Sequence, residues 1–227
     1  MADLRLVIFD VDGTLSDSLG EIVGAMEAAF GAEHMTVPDR DRIMGIIGLS
    51  LEEAMPLLAE EAPASTHARL VAGYKAAYQK QRLAAGPDHS PLFPGMRELV
   101  ERLAAQPETL LAVATGKSRR GLEALLDTHG LRPFFHSIQV ADDHPSKPHP
   151  SMVMTALAET GVEAARAVMI GDTSYDLDMA RAAGVASIGV AWGYHPAQQL
   201  ARADVVVATP EELARAIDTL TTGETPR

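Results

Sequence analysis

Six short apolar runs recur along the chain with helix-patterned segments between them, and this rhythm restricts the fold more than any other feature. They are Leu6–Phe9, Leu110–Ala114, Ser137–Val140, Ala167–Ile170, Ala186–Val190 and Asp204–Val207. None alternates apolar with polar residues, so each reads as a strand covered on both faces. Helical patterns fall at Gly95–Ala105, Ser118–His129, Pro150–Glu159, Ser174–Ala183 and Pro210–Leu220. Prolines sit near several of their starts, and Gly130 and Gly184 stand just past two of their ends, the expected helix punctuation. Strand–helix–strand alternation of this kind implies an α/β, Rossmann-like three-layer sandwich with a central parallel sheet. With 227 residues, 47% of them hydrophobic, the chain can bury a substantial core.

One stretch breaks the rhythm. From about Ser16 to Ser90 there is helical patterning and no strand: Ile22, Val23, Met26, Ala29 and Phe30 recur at helical spacing, as do Leu51, Ala54, Met55 and Leu58. The loop "GPDHSPLFPG" (86–95) closes it. The expected organisation is a catalytic α/β core of residues 1–15 and 91–227, interrupted by a small helical cap domain of residues 16–90. Two chain crossings would join them, as a hinge does.

Composition narrows the function classes. A formal charge of −12 with scattered Lys and Arg argues against nucleic acid, whose phosphates are held by clustered basic residues. No apolar run approaches the roughly 20 residues that span a bilayer, so no membrane association is expected. The opening residues lead directly into a strand without the pattern of a signal peptide, and there are no cysteines. A cytoplasmic location is the expectation. Oligomeric state is not readable.

In open parallel sheets ligands bind beyond the carboxyl ends of the strands. At those positions stand Asp10 and Asp12 after the first strand, Thr115 and Gly116 after the second, Lys147 in the loop after the third, and Asp172 and Asp176 after the fourth. Carboxylates gathered at one edge repel one another unless a cation sits among them, and an all-oxygen set suits magnesium. Each string has a plainer reading. Asp12-Gly13 is a turn signal, Thr115-Gly116 suits a helix start, Lys147 suits a solvated loop, and Asp172 and Asp176 suit helix capping. All four would have to coincide at one sheet edge.

The strings "DVDGT" (10–14), "ATG" (114–116), "SKPHP" (146–150) and "GDTSYD" (171–176) resemble the four ordered motifs of the haloacid dehalogenase-like hydrolase superfamily. "FDVDGTLSDS" and "MIGDTSYDLDMARAAGV" look most like its phosphoglycolate-phosphatase-like branch with a helical cap. The resemblance implies that Asp10 is the nucleophile, forming an aspartyl-phosphate, and a ligand of Mg2+. It implies that Asp12 is the general acid/base and ligates the metal through its backbone carbonyl. Thr115 and the amides following it, from Gly116 on, would hold phosphoryl oxygens. Lys147 would offset charge on the phosphoryl group and Asp10, Asp172 would be the second carboxylate on the metal, and Asp176 would orient the metal shell. Gly13 permits the tight turn.

Departures from sister families narrow the reaction. Dehalogenases of this fold lack an acid where Asp12 stands, and phosphonate-cleaving relatives have a small residue before the glycine. Sugar phosphomutases carry a histidine in the first cap helix, where this chain reads "SLGEIVG". The expected activity is therefore a magnesium-dependent phosphatase acting on a small phosphorylated metabolite, phosphoglycolate included. An inorganic pyrophosphatase, a phosphomutase and a non-catalytic relative are the alternatives. The turn "RIMGIIGLS" (42–50) is expected to face the site. Arg42, Lys75, Lys80 and Arg82 could meet an acidic leaving group but read more readily as surface residues, His144 and His149 read as solvated loop histidines, and Met152, Met154 and Trp192 as packing.

Overall fold

The computed structural model describes residues 4–86 and 89–222. Its six strands are β1 Arg5–Phe9, β2 Thr109–Thr115, β3 Ser137–Val140, β4 Ala167–Gly171, β5 Ala186–Val190 and β6 Val205–Val207. They form one sheet in the order β3-β2-β1-β4-β5-β6, parallel throughout, with Leu6 opposite Leu110 on one side and Ala167 on the other.

The missing polar alternation has a direct cause. Val7 and Phe9 of β1 face a core made with α5 (Met96–Ala104), α6 (Arg119–Thr128) and α10 (Pro210–Thr222). Leu6 and Ile8 face a second core made with α7 (Ser151–Thr160) and α8 (Ser174–Ala182). Both faces of the central strands are dry, so both must be apolar. Local chemistry sets the helix ends. Ser118 accepts a hydrogen bond from the Gly121 amide at the start of α6, and Gly161 closes α7 in the left-handed region at φ +68°. The short α9 (Ala197–Leu200), absent from the sequence reading, packs Leu200 under the sheet margin.

Between β1 and α5 the described chain is helical: α1 Leu19–Ala32, α2 Arg40–Met44, α3 Leu51–Leu58 and α4 Ala64–Ala85. These helices have a hydrophobic cluster of their own, built on Ile22, Met26, Phe30, Ile43, Met55 and Leu70. This helical cap covers the carboxyl edge of the sheet. No helix of the described residues is long and apolar enough to cross a membrane.

Candidate active site

Strand order reverses direction between β1 and β4, and the acids leave the sheet at that switch point. The Asp10 amide donates to the Ile170 carbonyl at 2.9 Å, carrying β1 one residue further along β4. The chain then folds back sharply, with the Leu15 and Ser16 amides both donating to the Val11 carbonyl at 2.9 Å. Gly13 sits in this turn at φ +84°, and a Cβ there would lie 2.2 Å from Asp172 Oδ2. A Cβ on Gly193 would lie 2.1 Å from the Asp172 Cβ. Asp172 therefore occupies a slot that two bare backbones leave open.

Asp10, Asp172 and Asp176 each present a carboxylate oxygen within 4.8 Å of the others, all three buried. Lys147 reaches beneath them from the loop after β3, its Nζ donating to Asp10 Oδ1 at 2.7 Å and Asp176 Oδ1 at 2.6 Å. Its side chain is fully buried. Asp176 also completes a capping box, accepting from the Thr173 amide and hydroxyl while Thr173 accepts from its amide. Capping α8 and facing the acid cluster are thus compatible for one side chain. Asp172 accepts from Thr14 Oγ1 at 3.1 Å and the Tyr194 amide at 2.8 Å.

Three carboxyls against one ammonium leave negative charge unbalanced. Burial pushes the Asp10 carboxyl from 3.8 up to about 7, against the pull of Lys147. Burial, then Asp10 and Asp176, hold Asp172 well above the carboxylate range. Burial pulls the Lys147 ammonium down, and its two carboxylates more than reverse this. A buried, oxygen-only donor set with uncompensated charge fits a hard divalent cation.

Asp12 points elsewhere. Its Oδ1 accepts from Lys117 Nζ at 2.7 Å and from the Ser18 hydroxyl. Lys117 also donates to the Tyr78 hydroxyl at 3.0 Å, so a core lysine ties Asp12 to α4 of the cap. Sequence reasoning passed over Lys117 and Tyr78. The available signal was position, since Lys117 directly follows the Thr115-Gly116 pair at the sheet edge that also carries the acids after β1 and β4.

Thr115 ends β2 buried, its Oγ1 accepting from the Lys117 amide at 3.3 Å. Gly116 has a steric role that the sequence did not reveal. A Cβ there would lie 2.5 Å from the Gly48 carbonyl oxygen and 2.8 Å from that of Leu49, so the cap turn rests on its bare backbone. The same 42–50 turn is tied down where the Ser50 amide donates to Ser146 Oγ at 2.8 Å and Tyr175 OH donates to the Gly45 carbonyl at 2.9 Å.

A cavity of about 460 Å³ lies between cap and sheet edge. Asp10, Asp12, Thr115, Gly116 and Lys117 border it, whereas Lys147, Asp172 and Asp176 lie out of contact with it. Lys75 and Arg82 border it too, as a role toward the leaving group requires, although Lys75 is also exposed. Arg42 donates to the Leu57 carbonyl on the cap's exterior, and Lys80 is exposed. His144 is not simply solvated, since its ring nitrogens engage Ser151 Oγ and Gln139 Oε1, each at 2.8 Å, while His149 is exposed. Met152 is buried but Met154 is 56% exposed, against the packing expectation, because it projects from the outer face of α7. Trp192 packs on Phe93 and donates to the Thr14 carbonyl at 3.1 Å, bracing the turn that carries Gly13.

Comparison with known proteins agrees with this geometry. The family model described as haloacid dehalogenase-like hydrolase matches residues 7–190. A probable phosphatase, IndB, of Dickeya dadantii is 41% identical over 220 residues, spanning 95% of this chain and 94% of that protein. A phosphoglycolate phosphatase of Caulobacter vibrioides is 34% identical over 228 residues, spanning 95% and 92%. The crystal structure of a hydrolase from Pseudomonas syringae superposes with a TM-score of 0.83 at 26% identity, covering 96% of this chain and 100% of that one.

Proposed function

The chain belongs to the haloacid dehalogenase-like hydrolase family, and we propose that it is a magnesium-dependent phosphatase of a small phosphorylated metabolite, working through an aspartyl-phosphate on Asp10. One observation carries the reading. Asp10 opens onto the cavity, while behind it Lys147, Asp172 and Asp176 form a buried charged layer.

In the first step an Asp10 oxygen attacks phosphorus, the bond to the leaving oxygen breaks, and Asp12 gives that oxygen a proton. In the second, Asp12 takes a proton from water as the water oxygen attacks phosphorus, and the bond to Asp10 breaks. Magnesium, held by Asp10, Asp172 and the Asp12 backbone carbonyl, would supply positive charge to the phosphoryl oxygens. Thr115 and the Gly116 amide hold those oxygens, and Lys147 keeps Asp10 ionised and in place. Asp176 fixes Lys147 while capping α8, so one side chain joins helix geometry to site charge. Most of the catalysis is then positioning and fixed electrostatics.

Residues 16–90 act in this reading as a cap domain on a core of residues 1–15 and 91–227, excluding water and reading the leaving group. The phosphoglycolate phosphatase of Caulobacter vibrioides makes phosphoglycolate a natural first substrate to assay. A chain without cysteine suits a reducing cytoplasm. Phosphate release from p-nitrophenyl phosphate should require added magnesium and be abolished in Asp10→Asn. Activity that survives the substitution, or that persists in excess chelator, overturns the proposal.

A further inference from the structure

We infer that the leaving alcohol of the physiological substrate carries an apolar or aromatic body, which sets it apart from the two-carbon acid glycolate; this rests on the phosphatase reading. The inference comes from the cap residues that border the cavity. Ile22 and Met26 of α1, Ile47, and Leu51 of α3 border the space from the cap side. Tyr74 and Tyr78 of α4 also border it, their rings stacked at 5.9 Å between centroids and 23° between planes. Tyr78 spends its hydroxyl on Lys117 and Ser90. The Tyr74 hydroxyl makes no hydrogen bond among the described residues, leaving a planar ring face and a polar tip for a ligand.

Volume points the same way. A space of about 460 Å³ lies in the range of sites that enclose a multi-ring ligand, and glycolate would leave most of it void or wet. Arg82 and Arg120 of the lining would have to pair glycolate's carboxylate, since an unpaired charge against the apolar side chains is strongly disfavoured. Lys117, the cation beside Asp12, already has that carboxylate as its partner. Lys75 is paired with Glu52 at 3.2 Å toward solvent. Arg82 and Arg120 would equally pair a polar end on a larger leaving group, which leaves the apolar lining to its body.

The test compares 2-phenylethyl phosphate, ethyl phosphate and phosphoglycolate with the magnesium-loaded enzyme, each releasing a primary alcohol. The expected result is a kcat/KM at least tenfold higher for the phenylethyl ester than for either of the others. Tyr74→Ala should lower the phenylethyl value by about tenfold more than the ethyl value, and Tyr74→Phe should restore the difference. Leu51→Ala, at a half-buried position, gives the same readout if Tyr74→Ala does not fold. Phosphoglycolate equal to or better than the phenylethyl ester overturns the inference while leaving the phosphatase reading intact. Failure to hydrolyse p-nitrophenyl phosphate as well would overturn the phosphatase reading itself.

Discussion

Lys147→Met should destabilise the metal-free protein in a way that depends strongly on pH. The lysine's side chain is fully buried and its ammonium lies 2.7 Å and 2.6 Å from two buried carboxylates. Removing one partner of such a group leaves uncompensated charge in a dry site, which costs about 3–5 kcal/mol. With a urea slope of about 3 kcal/mol/M for a chain of this size, the midpoint should fall by about 1–2 M. The sign of the pH effect follows from the Asp10 carboxyl, which titrates near 3.8 when unfolded and is raised to about 7 by burial. Between those values the folded protein keeps a proton that the unfolded chain has released, so stability falls as pH rises through the window, by up to about 1.4 kcal/mol per unit. Without Lys147 the upper limit moves further up. The deficit should therefore be small at pH 5, where Asp10 is protonated, and largest at pH 8. Urea unfolding of both proteins at the two pH values, in excess chelator, measures it. A deficit below about 1 kcal/mol at pH 8, or an equal deficit at both, would refute the charge balance described above.

In the wild-type protein, magnesium at about a hundred times its Kd should add about 2.7 kcal/mol of stability at pH 8. At pH 5 the gain should shrink, because protons compete for the same carboxyls; thermal melts with and without magnesium read this directly. Gly116→Ala places a Cβ 2.5 Å from the Gly48 carbonyl oxygen and should prop the cap turn off the sheet edge. Its kcat/KM should drop about a hundredfold, the scale of a misplacement near 1 Å, while the urea transition of the core stays near the wild-type midpoint. Asp12→Asn should lower kcat/KM for ethyl phosphate by roughly a hundredfold or more and for p-nitrophenyl phosphate much less. The ratio kcat/KM reports the phosphorylation step, where a good leaving group needs no proton, while kcat falls for both because they share the water step. Equal loss of kcat/KM on both esters would remove Asp12 from protonating the leaving oxygen.

Much of the fold was legible because it is written in local patterns. The strands of the structure begin and end within about a residue or two of the apolar runs, for buried parallel strands must be apolar on both faces. Asp204 is the instructive exception. It lies just before β6, and its carboxylate accepts instead from the Ser187 amide at 2.8 Å, a contact between segments that no local pattern encodes. The acids of the site were legible for a related reason, since strand ends in a parallel sheet share one edge and Asp10, Asp172 and Lys147 fall on it. What stayed hidden depends on which distant backbones touch. The slot for Asp172 needs Gly193 as well as Gly13, the space above Gly116 is filled by a cap turn some seventy residues away, and Lys117 finds Tyr78 on α4, far away in sequence. Met154 misled because helical spacing alone does not say which face of α7 meets the sheet.

The central claim is a covalent bond between phosphorus and the Asp10 carboxylate, and acid-quenched mass analysis during turnover tests it most directly. With magnesium and p-nitrophenyl phosphate, the Asp12→Asn protein should accumulate a species heavier by one phosphoryl group, because the water-activating base is gone. Peptide mapping should place the group on the segment containing Asp10, and Asp10→Asn should abolish it. No adduct in Asp12→Asn while it still turns over substrate, or an adduct on any other segment, would contradict the account.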